Sequence, residues 1–411
     1  MSCRQCDPPL MKERRCVFCI TPGSAVSGRM RNHDDGESCG GRTEQSGLRC
    51  APQLLASIMP AVQRNMQQNR KTQSFVFRGA AFPKGIDGKK KESYTEISMI
   101  IREEKPMNHD LLVIGSTCVD VIIRVDHLPR TEENLHPDSQ RFAIGGCAYN
   151  VANILGRAGA SVTFVTPVGE QGVFGGFAAA QLAKLPFARP VLLPNEANGC
   201  CYCLVEANGE RTFMSIHGAE YSFSPEWMRF CERGHFQYGY VCGLEVEEKT
   251  GGLLVDYMRN APVETWLYAP GPRGAGIDRV RTDVIFALHP ILHLSGSEAS
   301  ALSGRDGLDD ALLALHERTQ APIIATVGAL GARVLLDKDT LLTVPGYPSS
   351  GVVDTIGAGD AHAGAVMLGL SRGMTLADAA ALANRVCAKV VETEGATLSD
   401  EDFAALGIRE D

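Results

Sequence analysis

The residues with the clearest chemistry are Asp354-Thr355-Ile356-Gly357-Ala358-Gly359-Asp360, followed by the apolar helical run Ala361–Leu370. Small residues at 357–359 let the backbone approach an anion closely. Their N–H groups would point at it from a helix N-terminus, where the dipole favours negative charge. A carboxylate beside such an anion hole is electrostatically costly unless it has a task. At Asp360 it could accept a proton from an attacking hydroxyl while the amides hold phosphoryl oxygens. Taken alone, the same residues describe a Gly-rich turn with an Asp cap.

A second cluster favours the chemical reading. Gly145-Gly146-x-Ala148-x-Asn150-x-Ala152 opens another helix, with Gly159 and Gly169 further on. Paired glycines permit close backbone approach to a ligand. Asn150 supplies both a donor and an acceptor, as recognition of hydroxyls requires. Asp120 lies just past the first patterned strand, where α/β sheets bind ligands.

The elements that position these groups are regular from residue 107 onward. Leu111-Leu112-Val113-Ile114 reads as a buried strand that enters a turn at Gly115-Ser116. Val151, Ile154, Leu155 and Ala158 follow a helical period that Gly159 ends. Strands near 162–165, 238–244, 266–268, 291–294 and 323–327 then alternate with helices, the last two near 359–371 and 376–392. This alternation predicts an α/β fold with a mainly parallel sheet covered by helices on both faces. Two stretches break it. Val119, Val121, Ile123 and Val125 alternate with period 2 within 119–144. Residues 200–216 read as a hairpin, with Asn208-Gly209 suited to a type I′ turn. These strands predict a separate small β-sheet, a lid over the site.

Composition narrows the function. Of the 411 residues, 44% are hydrophobic and 21% charged, an ordinary globular mix. No apolar run reaches the roughly 18 residues of a membrane helix, and the N-terminus lacks the apolar core of a signal peptide. A cytoplasmic location is expected, with no membrane partner. Residues 1–106 hold 18 Lys+Arg against 11 Asp+Glu, whereas 107–411 hold 22 against 37. That acidic body argues against nucleic-acid binding, because phosphates would be repelled. Six of the 14 cysteines lie in the first 50 residues. The others, including Cys200, Cys201 and Cys203, read as reduced thiols, several of them buried.

Residues 1–106 have no sustained period and a polar, amide-rich composition, which predicts disorder over most of the segment. Cys3-x-x-Cys6 and Cys16-x-x-Cys19 have the ligand types of a four-thiolate zinc knuckle. The loop between them is shorter than usual for that pattern, and zinc is the less favoured reading. Arg102-Glu103-Glu104 precedes Met107, and the purine-rich codons of Glu resemble a ribosome-binding site. This predicts a native start at Met107, which peptides from 1–106 in the endogenous protein would exclude.

The segment from about 109 to 400 resembles the PfkB (ribokinase-like) carbohydrate kinases. Both family signatures fit, one over Gly145–Gly169 and one over Asp354–Met367. Gly145-Gly146-Cys147-Ala148, Gly209-Glu210-Arg211-Thr212-Phe213-Met214 and Gly359-Asp360-Ala361-His362-Ala363-Gly364 resemble poorly characterised bacterial sugar kinases of that family. The resemblance implies a three-layer α/β/α domain with a β-sheet lid. It implies transfer of the ATP γ-phosphoryl group to a hydroxymethyl group of a sugar or nucleoside, with Mg²⁺. Asp360 is then the catalytic base, and Gly357, Ala358 and Gly359 form the anion hole. Asp120, Gly145, Gly146, Asn150 and Glu245 hold the sugar. Thr326, Gly328, Gly331 and Asn384 line the nucleotide site. Asp354 lies in a loop that binds a monovalent cation in many members, so the resemblance leaves room for activation by K⁺, although no residue type here supports it. A homodimer through the lid edge is a further expectation.

Two positions depart from the family. Its Asn-x-x-Glu motif, which orders magnesium and phosphate, appears as Ser295-Gly296-Ser297-Glu298. An Asp common in members is absent from Ala269-Pro270-Gly271-Pro272. A weak sugar- or nucleotide-binding relative with a regulatory role therefore stands beside the kinase reading. Retention of Asp360 argues against it, since a binder needs no base beside the phosphate. Three further groups have unremarkable readings. His362 is expected to pack or face solvent, Cys147 to fill space, and His289, His293 and Cys242 to hold no metal.

Overall fold

The computed structural model describes residues 111–409, apart from 209 and 233, together with three short strands ahead of them. The chain divides into two units, Met1–Lys105 and Pro106–Asp411. In the first, β1 (Cys16–Phe18) pairs parallel with β3 (Thr95–Ile100), and β2 (Ser74–Gly79) pairs antiparallel with β3. Cys3, Cys6 and Cys19 lie outside the described residues, and Cys16 is described only as the start of β1.

The second unit is built on a nine-stranded sheet. β4 (Leu111–Ile114) lies between β7 (Val162–Gln171), followed outward by β8 (Ala188–Ala197), and β11 (Phe236–Cys242). Beyond β11 come β12 (Val263–Ala269), β13 (Ile291–Ser295) and β14 (Ile323–Thr326), all parallel. β15 (Gly331–Asp337) and β16 (Thr340–Pro345) finish the sheet as an antiparallel meander. The four residues of β4 are all fully or almost fully buried, as an unbroken apolar run in a sheet covered on both faces must be.

Two apolar clusters, one on each face, confirm the three layers. Helices α1 (Cys147–Arg157), α2 (Gly172–Leu182), α8 (Ala358–Ser371) and α9 (Leu376–Val390) pack on one face around Val151, Ile154, Leu182, Val366 and Val386. Helices α4 (Gly251–Met258), α5 (Arg279–Phe286) and α7 (Leu308–Thr319) pack on the other around Leu254, Ile285 and Leu315. Each such side chain contributes roughly 1.5–3 kcal/mol when buried. The crossing of α1 over α8 is close. A Cβ on Gly364 would lie 3.1 Å from both Ile154 Cβ and the Val151 carbonyl. That approach brings the first turns of the two helices, and hence the two sequence clusters, together.

The small sheet has the order β10 (Arg211–Ile216), β9 (Cys200–Val205), β5 (Cys118–Arg124), β6 (Ser139–Gly145). The β9–β10 connection is wider than the two-residue turn that Asn208-Gly209 predicts. Glu206 N–H still reaches the Glu210 carbonyl at 2.9 Å. The Asn208 side chain accepts the Glu210 N–H at 2.8 Å, closing a larger loop than a type I′ turn. All eight cysteines within residues 111–409 are free thiols. No helix among the described residues is long and apolar enough to cross a membrane.

Candidate active site

Asp360 sits in the first turn of α8, whose N-cap is Gly357 in the left-handed region (φ 69°). A Cβ at Gly357 would stand 2.2 Å from Ala396 Cβ and 3.1 Å from Asn150 Nδ2, so only glycine fits. Ala358 and Gly359 follow in the opening turn, where N–H groups lack the usual helical partner, although the Ala358 N–H donates to the Thr355 carbonyl at 3.3 Å. Asn150, in α1 and buried, donates from Nδ2 to Asp360 Oδ2 at 2.8 Å. One residue from each sequence cluster thus meets the other. Burial raises the Asp360 pKa above the ordinary carboxylate value, and the charge of Glu298 adds to the rise. Hydrogen bonds from Asn150 and the Cys147 thiol oppose it. Cys147, expected as filler, touches the Asp360 carboxylate and pairs with the buried Cys242 thiol.

The opposing wall carries the other hydroxyl-binding candidates. Asp120, half-buried on β5, is pushed up to about 6 by burial, which Arg141 opposes and Asp360 reinforces. Gly145 ends β6 against it, since a Cβ there would meet Asp120 Oδ2 at 2.3 Å. Gly146 caps α1. Glu245 is buried in α3 (Gly243–Glu247), directly after β11. Its Oε1 accepts the Ser116 N–H at 2.9 Å. Glu245 Oε2, Asn150 Oδ1 and Ser116 Oγ are buried and have no hydrogen-bond partner.

On the other side of α8 lies a cavity of about 280 Å³. Thr326, Gly328 and Gly331 line it from β14 and the following turn, and Gly359, His362, Asn384 and Cys387 line it from α8 and α9. Asn384 does not aim its amide into open space. Its Nδ2 donates to the carbonyls of Val344 (3.3 Å) and Pro345 (2.9 Å). Its Oδ1 therefore accepts from His362 Nε2 at 3.2 Å. That fixes the His362 tautomer, so Nδ1 accepts from His293 Nε2 at 2.8 Å. Both imidazoles are buried and kept neutral. Burial pulls His362 down to about 4 and His293 well below its ordinary value. His362 is thus packed, as expected from the sequence, but within a polar chain that runs to the cavity wall.

Ser295 and Glu298 form a capping box at the start of α6 (Gly296–Ser303). Ser295 N–H donates to Glu298 Oε2 at 2.7 Å, and Glu298 N–H donates to Ser295 Oγ at 3.2 Å. Ser295 thus serves as the N-cap of this helix, in the Ser-x-x-Glu capping pattern. Glu298 remains near enough to raise the Asp360 pKa. No group of three or more His, Cys, Asp or Glu among the described residues could hold a metal ion.

Sequence reasoning assigned no role to three arginines of the small sheet. Arg124 and Arg141 reach Glu394 at 2.8 and 3.0 Å. Arg211, on the edge strand β10, forms an ion pair with the buried Asp354 at 2.5 Å. Asp354 also accepts N–H groups from Ile356 (2.7 Å) and Gly395 (2.9 Å). Arg211 stood in Gly-Glu-Arg-Thr-Phe-Met, but its partner lies 143 residues away.

A carboxylate in the first turn of a helix, with Asp120 and Glu245 to one side and a cavity of about 280 Å³ to the other, can be set beside known proteins. Residues 108–402 match the model of the pfkB family carbohydrate kinases. The chain belongs to that family. An uncharacterised sugar kinase of Escherichia coli (strain K12), YegV, is 32% identical over 296 residues, covering 71% of this chain and 91% of that one. Two solved structures share the fold. Adenosine kinase from Sinorhizobium meliloti superposes with TM-score 0.63 at 20% identity, over 72% of this chain and 98% of that one. Ribokinase from Cryptococcus neoformans, in complex with ADP, gives 0.61 at 22%, over 73% and 99%. This pfkB-family protein is therefore a kinase of the sugar and nucleoside class and uses ATP, as the family does, typically with Mg²⁺.

Proposed function

We propose that the protein transfers the γ-phosphoryl group of ATP to a hydroxymethyl group of a sugar, with Asp360 as general base. The observation that carries this reading is the 2.8 Å bond from Asn150 to Asp360. It supports that role by joining Asn150, from one glycine-rich cluster, to Asp360 beside the turn at 357–359. Phosphoryl transfer asks mainly for positioning and charge neutralisation, and both lie within reach of this carboxylate. Gly357, Ala358 and Gly359 hold the phosphoryl oxygens, and Asp360 takes the hydroxyl proton. Asp120, Gly145, Gly146, Asn150 and Glu245 hold the other hydroxyls.

The cavity lined by Thr326, Gly328, Gly331 and Asn384 receives the nucleotide, with Asn384 bracing its wall. Mg²⁺, when bound with the nucleotide, would supply positive charge that neutralises the phosphates. Glu298 suits a water of that ion, because only its Oε2 is committed to the Ser295 N–H. A sugar is favoured over a nucleoside because the 32%-identical relative carries the name of a sugar kinase. The edge strand β10 exposes Phe213, Met214 and Ile216, which supports a homodimer through the lid. Sedimentation of wild type beside Ile216→Lys tests that assembly.

The deciding experiment follows ADP release by the full chain with ATP and Mg²⁺. Pentoses, hexoses, ketoses and ribonucleosides are offered in parallel to wild type and Asp360→Asn. Turnover of one sugar that the variant abolishes supports the reading. Turnover of a nucleoside alone, or turnover that survives the substitution, overturns it.

A further inference from the structure

The loop at Asp354 is where the family resemblance anticipates a monovalent cation, and the oxygen donors there do not fit one. Asp354 Oδ1 already accepts the Ile356 N–H and the Arg211 guanidinium, and Oδ2 accepts the Gly395 N–H. The Val391 carbonyl is taken by the N–H groups of Val353 (2.7 Å) and Asp354 (3.2 Å). Arg211 Nη2 also faces the Val353 carbonyl at 3.5 Å. A permanent positive charge therefore occupies the position, with its side chain only 19% exposed. A second cation about 4 Å away would be repelled by roughly 4 kcal/mol at the effective dielectric of a protein surface.

We propose that the Arg211 guanidinium, delivered from lid strand β10, takes the place of the monovalent cation, so that the phosphate-binding turn is seated by the lid and not by K⁺. The linkage is short. Arg211 holds Asp354, and Asp354 holds the Ile356 N–H directly before Gly357. Asp354 also holds Gly395, whose neighbour Ala396 packs on Gly357. Arg211 is thus a positioning residue that acts on the anion-hole turn through Asp354. A planar, always charged guanidinium suits a carboxylate flanked by a carbonyl better than a mobile ion does.

The test needs no acceptor substrate, so it stands apart from the question of what the enzyme phosphorylates. Thermal melting and Mg²⁺–ADP binding by calorimetry are measured for the full chain in KCl and, at equal ionic strength, in tetramethylammonium chloride. For wild type, melting temperature and ADP affinity should be the same in both salts. A bound K⁺ at tens of times its Kd would instead raise the melting temperature by roughly 2–6 °C. Arg211→Ala should lose ADP affinity by about tenfold in tetramethylammonium. Arg211→Lys, which keeps the charge, should recover part of it, and Arg211→Met, which keeps only the apolar stem, should recover none, an outcome that loss of packing alone would not predict. Recovery of Arg211→Ala by K⁺ would support the substitution of one cation for the other most directly. A K⁺-specific shift in wild type, or unchanged ADP affinity in Arg211→Ala, would overturn the proposal.

Discussion

The two sides of Asp360 are finished to different degrees. On the nucleotide side the buried polar groups satisfy one another, from His293 through His362 and Asn384 to the carbonyls of Val344 and Pro345. On the acceptor side Asn150 Oδ1, Glu245 Oε2 and Ser116 Oγ are buried without partners, and Asp120 and Asp360 both have raised pKa values. An unpaired buried polar atom costs roughly 1–3 kcal/mol. On the function proposed above, the nucleotide wall is built in advance and the acceptor wall is completed by its ligand's hydroxyls. Discrimination belongs on the second side, because a site built to pair with hydroxyls rejects analogues that lack them.

The sharpest way to break this contrast is Asp360→Asn, which lies on the boundary. It should lower kcat by about 10²–10⁴ and leave Mg²⁺–ADP affinity within about twofold, measured by steady-state kinetics and calorimetry. Next, Asn150→Ala should cost roughly 10–100-fold in kcat/KM for the acceptor, from a lost hydrogen bond to a charged group. The KM for ATP should barely change. If ATP suffers equally, the two walls are not separable. His362→Phe tests the opposite side. It leaves Asn384 Oδ1 and His293 Nε2 unpaired, so KM for ATP should rise about 5–20-fold with kcat nearly constant. Restoration by His362→Gln, which keeps a donor, would separate positioning from packing.

The smallest effects are on stability against pH. Asp120 has a folded pKa of about 6, above its ordinary 3.8. Its contribution is fully present below about pH 4 and is lost as pH rises through 6. Asp120→Asn should therefore stabilise the ligand-free protein by about 1–3 kcal/mol at pH 8 and by nothing at pH 3.5. His362 has the opposite sign. Its folded pKa lies at about 4, below the ordinary 6.5, so stability should fall as pH drops from 6.5 to 4. Denaturant titrations at pH 3.5, 5 and 8 separate the two. The acid loss should shrink in His362→Phe.

What the sequence disclosed follows from how local each signal is. The buried run of β4, the period of α1 and the glycines at 145–146 and 357–359 act over a few residues, and each lies where its pattern puts it. The lid strands were also legible, because period-2 alternation at 119–125 and a hairpin at 200–216 break the α/β rhythm. The Ser295–Glu298 capping box was visible in its spacing, yet comparison with an Asn-x-x-Glu motif made it look like a loss. What stayed hidden depends on distant partners. His293 and His362 are 69 residues apart, and Arg211 and Asp354 are 143 apart. No local pattern joins them. Only the stacking of α8 on the sheet and the fold of the lid do.

The lid is fastened at two places that solvent treats differently. Arg124 and Arg141 hold Glu394 with side chains about half exposed, whereas Asp354 beneath Arg211 is 5% exposed. At physiological ionic strength the Debye length is about 8 Å, and exposed pairs are screened far more than buried ones. Rising salt therefore loosens the outer fastening while the inner one persists. The Arg211–Asp354 pair is thus the contact of the small sheet that rising salt weakens least.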